Sequence, residues 1–423
     1  MGVLLAFVVL VILVYKKVPA ALAAVIAGIV MCLLSGLNAL DVMSNDFMQA
    51  AADFVKSWFL LFLVCGIYAA VMDSTGAAYS LGKWLANLLG PKGALWGVSA
   101  AAFVLTYGGI SCFVIVFAMY PIALVLFKEA NISRKMIPGA IAAGAFTLPN
   151  VLWGSPALCN VIPTQYLGTT VRSAPLVSII VSVFLFMAAN LYLMWKSNYN
   201  RKRGIGFVAT EKIQKLIDEN ESRGTVSPLL AVIPLATIIV VLNVLKWHVN
   251  VAVLCGIAVA YALFWKRLDS KFEPLTLGTQ TSISSVMGVA PVAGLGSVAK
   301  LTAFFQRLVN AAMSMQGSPL VSWALGCTLI TAACGSGSAG GAMACTLLAD
   351  KYLALGLNPE IMHKVVSCAS IVFDSTPWNG TICLTMAACD CTHKDSYGDI
   401  FMITILINGL GLILCTALGV LLY

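Results

Sequence analysis

Residues 360–392 read EIMHKVVSCASIVFDSTPWNGTICLTMAACDCT. The stretch is apolar over a helical length, yet Asp374, Pro377, Asn379 and Gly380 interrupt it near the middle. Proline lacks an amide proton and clashes with the preceding turn, so no continuous helix runs through. The backbone groups released by the break then need partners, which lipid does not supply. A second stretch, residues 134–168, repeats the pattern, with TLPNVLWGSP at 147–156. A plain turn there would leave polar backbone at membrane depth, so both stretches are read as discontinuous helices flanking a site.

The composition agrees. Of 423 residues, 60% are hydrophobic and only 10% charged, and the mean hydropathy is +0.95. A soluble domain carries about 25% charged residues to face water. Runs near the ~20 residues needed to cross a bilayer recur along the chain, so the fold class is an all-α polytopic membrane protein. The 9 Trp, 12 Tyr and 35 Gly suit that class. The net charge of +8 does not point to nucleic acid, because seven of the 25 basic residues lie in the loop 196–226 among acidic ones. The 13 cysteines are scattered through apolar runs and read as small hydrophobes. Cys389, Cys391 and His393 fit no standard zinc spacing, so no metal or other cofactor is expected.

Spans are expected at 1–15, 18–37, 57–72, 173–195, 227–245, 250–265, 280–298 and 398–422, besides the two broken helices. Residues 95–127 and 319–355 are apolar with Gly/Ser breaks and read as re-entrant hairpins. With the 196–226 loop inside, 18 of the 25 basic residues fall on that side, which puts both termini outside. The apolar N-terminus, without a basic segment before it, reads as a first span. An internal repeat appears at an offset of 227. Gly108 and Ser111 fall on Gly335 and Ser338, and span 1–15 falls on 228–242. Residues 1–195 and 227–423 are thus two repeats joined by a basic cytoplasmic linker, 196–226. Five spans per repeat is an odd number, so the second inserts upside down. Inverted repeats with discontinuous helices mark secondary transporters that bind near the midplane. The amphipathic stretches 74–90 and 301–317 read as interfacial helices or connecting arms.

Candidate site residues follow from this layout. The hairpin tips offer Tyr107, Gly108, Gly109 and Ser111 in one repeat and Gly335, Ser336, Gly337 and Ser338 in the other. Glycine permits tight turns and close ligand approach, and amides at a following helix N-terminus suit a carboxylate. Glycine and serine also pack helices closely, but the recurrence of both tips favours binding. The breaks add Asn150, Gly154, Ser155 and Asn160, then Thr376, Asn379, Gly380 and Thr381. Asp374 stands at the centre of an apolar segment, where an ionisable group is costly and commonly functional. It is the candidate for reversible proton binding, with a structural hydrogen bond as the competing role. His363 and His393 read as interfacial, and Arg172 and Lys300 as distant help to an anion.

These residues carry a resemblance. YGGISCFVIVFAMYPIALVLFKEANISRKMIPGAIAAGAFT, GSPALCNVIPTQYLGTT and the run from GSGSAGGAMACTLLADKY to MAACDCTHKDSY resemble the gluconate:proton symporter (GntP) family of the ion transporter superfamily. The resemblance implies scaffold and transport domains in inverted repeats, and proton-coupled uptake of gluconate, related sugar acids, short hydroxy acids or small amino acids. Trp378, near which gluconate-type members carry a His, would narrow the pocket toward smaller acids.

The expectation is therefore a proton-coupled importer of a small organic anion, elevator-like, in a bacterial inner membrane and assembled as a homodimer. The coupling ion is H+, with Na+ as the alternative. A sodium-coupled carboxylate symporter, or an organic-anion exporter or channel, shares the architecture. An enzyme is not expected, since neither an HExxH pair nor a Ser/His dyad at one depth is present.

Overall fold

The computed structural model describes residues 2–16, 18–107, 112–211, 213–215, 218, 226–245, 247–268, 270–314, 318–377 and 379–423. Among them the chain is helical, with no strand. In order the helices are α1 Gly2–Tyr15, α2 Ala20–Ser35, α3 Ala39–Ser74, α4 Ala77–Tyr107, α5 Cys112–Glu129 and α6 Ile137–Ala145. Next come two single turns, α7 Leu158–Val161 and α8 Thr164–Leu167, and then α9 Pro175–Lys202. The second part holds α10 Pro228–Asn243, α11 Val249–Phe264, α12 Glu273–Lys300, α13 Ala303–Ser314, α14 Pro319–Cys334 and α15 Gly337–Ala354. The chain closes with α16 Pro359–Val372, α17 Gly380–Ala388 and α18 His393–Leu422.

Among the described residues, five helices are long and apolar enough to cross a membrane: α3, α9, α12, α18 and the stretch Asn250–Arg267. Their outer faces expose large apolar side chains such as Leu176, Leu191, Ile413 and Leu421, as expected where the solvent is lipid. The helices at the expected spans 18–37 and 227–245 are shorter, at 16 residues each. That is ~24 Å of helix, against ~30 Å of hydrocarbon. Local chemistry trims α2: it starts after Pro19 and stops at Gly36, whose φ of 69° closes a left-handed cap. The span expected at 57–72 is the C-terminal part of the longer α3, which contains a π-helical segment at Met43–Phe47.

Two groups of helices meet. In one, α3 and α12 cross in close contact and α2 packs on α12. Small residues bring the two backbones together. A Cβ on Gly278 would lie 2.5 Å from Ile67 Cα, and one on Gly66 would overlap Ser282 Oγ. Ser282 Oγ donates across the crossing to the Phe62 carbonyl at 2.8 Å. In the other group, α4 pairs with α5, and α14 pairs with α15. α14 turns into α15 at Gly335, whose φ is 63°. The tip expected between α4 and α5, with Gly108, Gly109 and Ser111, lies outside the described residues.

The broken helices form the middle of this second group. All nine residues of α6 are buried, and so is α16 from Ile361 to Val372. A Cβ on Gly144 of α6 would overlap the Ser99 carbonyl of α4, while Ser99 Oγ donates to the Ala140 carbonyl at 3.0 Å. Trp323 of α14 donates from Nε1 to the Met362 carbonyl at 3.0 Å. Between the amphipathic first part of α4 and its apolar second part, Gly90 takes φ 65° and ψ 175°, which kinks the helix where the expected arm 74–90 ends.

Candidate functional site

At the second break, α16 ends at Val372 and α17 begins at Gly380. Asn379 caps α17: its Oδ1 accepts from the amides of Thr381 at 2.8 Å and Ile382 at 3.4 Å. Its Nδ2 donates to the Gly335 carbonyl at 3.1 Å and to Asp374 Oδ1 at 3.2 Å. Asp374 Oδ1 also accepts, at 2.6 Å, from the amide of Gly337, the first residue of α15. One carboxylate oxygen therefore ties the break to the hairpin tip. Two carbonyls exposed at the break are closed from α18. Tyr397 Oη donates to the Ser375 carbonyl at 3.0 Å, and His393 Nε2 donates to the Pro377 carbonyl at 2.7 Å. His393 is buried in this role.

A cavity of about 610 Å³ opens between the two helix groups. One wall comes from α3 and α12, with Phe54, Trp58, Leu61 and Ser297 among its residues. The other comes from the hairpin tip and the breaks. Among the described residues its lining holds one acidic side chain, Asp374, and one basic side chain, Lys300. Lys300, expected only as distant help, thus reaches the cavity from the end of α12. The volume suits a small organic ligand.

The structure brings seven of the expected binding residues and the proton candidate to this cavity. Asn150 comes from the first break, Gly335, Ser336 and Ser338 from the tip, and Asn379, Gly380 and Thr381 from the second break, with Asp374 beside them. That leaves several candidates elsewhere. Gly337 contributes its amide to Asp374 and is itself packed, since a Cβ would meet the Ser370 carbonyl at 2.7 Å. Thr376 is buried, and its hydroxyl has no hydrogen-bond partner among the described residues. Tyr107 Oη donates to the Trp153 carbonyl at 3.3 Å, beside Gly154 with φ 76°. Ser155 and Asn160 are buried inside the first break. Arg172 stacks over Trp153 instead, 5.7 Å from the ring centre. Trp378 lies outside the described residues.

The first break has a different interior. After Leu148–Asn150 the backbone runs irregularly to α7, and Lys364 of α16 enters that turn with no exposure. Its Nζ donates to Asn160 Oδ1 at 2.6 Å, the Val151 carbonyl at 3.2 Å and the Val171 carbonyl at 3.4 Å. His363 is buried beside it, with Nε2 3.1 Å from Asn160 Oδ1 and Nδ1 2.7 Å from Thr169 Oγ1. The sequence held a signal for Lys364, a charge inside an apolar run like Asp374, but not for its partners about 200 positions away. Asn408 of α18 joins the two breaks, donating to the carbonyls of Phe146 at 3.4 Å and Ile371 at 3.2 Å. Near Cys391 no metal cluster forms: among the described residues there is no group of three His, Cys, Asp or Glu side chains able to hold an ion.

No protein-family profile matches the chain. Among solved structures, Neisseria gonorrhoeae MtrF, described within a class of antimetabolite efflux pumps, aligns with a TM-score of 0.39 at 12% identity, covering 91% of this chain and 84% of its own. The YdaH transporter of Alcanivorax borkumensis aligns with a TM-score of 0.37 at 13% identity, covering 90% and 88%. An uncharacterized transporter of Haemophilus influenzae is 24% identical over 380 residues, 89% of this chain and 87% of that protein. The uncharacterized transporter YxjC of Bacillus subtilis is 30% identical over 415 residues, 87% of this chain and 88% of YxjC. With that identity sustained across nearly all of both proteins, on a multi-pass helical frame around a cavity, the chain belongs to the transporter family of YxjC and is not an enzyme.

Proposed function

We propose that the chain is a proton-coupled secondary transporter that imports a small organic anion, with the cavity at the second break as the substrate site. The observation that carries this reading is the position of Asp374, the one acidic side chain of the lining among the described residues, with Oδ1 on the first amide of α15. A helix N-terminus favours negative charge. While Asp374 is ionised, its own carboxylate meets that preference and repels an incoming anion. A proton on Asp374 removes the repulsion and leaves Lys300, the Ser336 and Ser338 hydroxyls and the tip amides for the substrate. Proton and anion then bind together, which is the linkage a symporter needs.

The architecture expected from the sequence supports movement around that site. α6 ends at Ala145 and α16 at Val372, 227 positions later. These matched ends favour two inverted repeats, with α3 and α12 in a scaffold and the hairpins and broken helices in a transport body that moves as an elevator. The resemblance to gluconate:proton symporters supplies the substrate class, from short hydroxy acids to sugar acids. A homodimer in a bacterial inner membrane, with both termini outside, completes the reading.

The test is uptake into proteoliposomes of labelled glycerate, 3-hydroxybutyrate and gluconate, under an inward proton gradient and separately an inward sodium gradient. Accumulation driven by the proton gradient, lost in Asp374→Asn, is the expected result. Accumulation driven by sodium alone, or an Asp374→Asn protein that still concentrates substrate with unchanged pH dependence, would overturn the assignment of the ion.

A further inference from the structure

We propose that the first helix break contains a monovalent-cation site whose occupant is the chain's own Lys364 ammonium. Lys364 Nζ has three protons and three acceptors, the carbonyls of Val151 and Val171 and the side-chain oxygen of Asn160. All three are neutral oxygens, and two are carbonyls in the irregular backbone around α7 and α8. That is the ligand chemistry by which unwound membrane helices hold sodium.

The cage is built rather than incidental. Asn160 Nδ2 donates to the Ser155 carbonyl at 2.8 Å, which turns Oδ1 toward the ammonium. His363 Nε2 donates to that oxygen, an acceptor only, and its Nδ1 pairs with the Thr169 hydroxyl, which fixes the ring beside the cage. Ser178 Oγ holds the Val151 carbonyl at 2.6 Å from the far side. Lys364, His363, Asn160 and Ser178 are all fully buried. A charge buried at that depth needs compensation, and among the described residues its hydrogen-bond partners are neutral dipoles. At the second break the carbonyls of Ser375, Pro377 and Gly335 accept from the neutral donors Tyr397, His393 and Asn379, whereas the Val151 and Val171 carbonyls, which also accept from Ser178 Oγ and the Gly154 amide, receive an ammonium as well. Of the two breaks, as far as their described residues go, the first alone has its oxygens converging on a cation, and that cation is covalently fixed to α16. The site is independent of the substrate and the coupling ion proposed above.

Removing the amine should leave the cage vacant for a free ion. The experiment is thermal unfolding in detergent of wild type, Lys364→Ala and Lys364→Ser, titrated with sodium chloride against choline chloride at constant ionic strength. The serine variant offers a replacement oxygen if the alanine variant is too unstable to purify. The expected result is a midpoint that rises with sodium and saturates in the variants, beyond any change in wild type. A variant recovered folded in sodium but not in choline supports the site equally. Variants that respond to sodium as wild type does, or that are lost equally in both salts, would overturn the proposal.

Discussion

Asn379 offers the sharpest test of how the second break is held. Its side chain acts in two directions: Oδ1 caps α17, while Nδ2 binds the Gly335 carbonyl and Asp374 Oδ1. Substitutions can separate the two. Serine caps a helix about as well as asparagine but is too short to reach Gly335 or Asp374. Asn379→Ser therefore keeps the cap and loses one neutral bond, worth ~1 kcal/mol, and one bond to a carboxylate, worth ~1.5–3 kcal/mol. Because Asp374 faces an open cavity, the loss should fall near ~2 kcal/mol, or a drop of a few degrees in the unfolding midpoint. Asn379→Asp also keeps the cap, and its charge suits a helix N-terminus. It nevertheless places an acceptor against two acceptors, so it should be the less stable of the pair. Acidification should restore part of the loss, since a proton shared by two carboxyls supplies the missing donor. Asn379→Ala should lose the cap as well, a further ~1 kcal/mol. The assay is thermal unfolding in detergent across pH, with uptake measured on the same preparations. If the serine and aspartate variants match wild type and only alanine falls, Asn379 is simply a cap, and the link from the break to the tip carries no weight.

Other outcomes follow from the same geometry. Lys300→Gln should raise the KM for the anion by roughly tenfold, equivalent to ~1.4 kcal/mol, with kcat little changed; an unchanged KM would remove Lys300 from the site. Asn408→Leu strips the Phe146 and Ile371 carbonyls of a donor, and at ~1–3 kcal/mol per unsatisfied buried group it should lower the unfolding midpoint more than any surface change on α18. Gly144→Ala drives a methyl into the Ser99 carbonyl and should cost at least ~1–3 kcal/mol through overpacking, read as a loss of folded protein on size-exclusion chromatography.

The breaks were legible because proline, glycine and asparagine inside an apolar run leave no other reading, and Asp374 was legible because an acid there has no solvent. The tip at Gly335–Ser338 followed from the same rule. What stayed hidden was contact between remote segments. Lys300 sits at the end of α12, and only the crossing with α3 brings it to the cavity. Lys364 carried the same local signal as Asp374, but its meaning depends on Asn160, Val151 and Val171, which tertiary packing alone delivers. His393 starts α18, and its bond to the Pro377 carbonyl, 16 positions back, is a contact the local sequence does not announce. Helix ends moved where capping chemistry decides, as at Gly36.

The crossing of α3 and α12 has a mechanical consequence. With Gly278 against Ile67 Cα and Gly66 under Ser282, the two backbones come together at that point with little between them to shear. Sliding of one helix on the other is resisted there. Any travel of the hairpins and broken helices relative to the pair must be taken up where the contact is made by side chains and open space, along the Phe54, Trp58 and Leu61 wall of the cavity. The substrate would then ride at the slip plane itself, carried by one side and screened by the other.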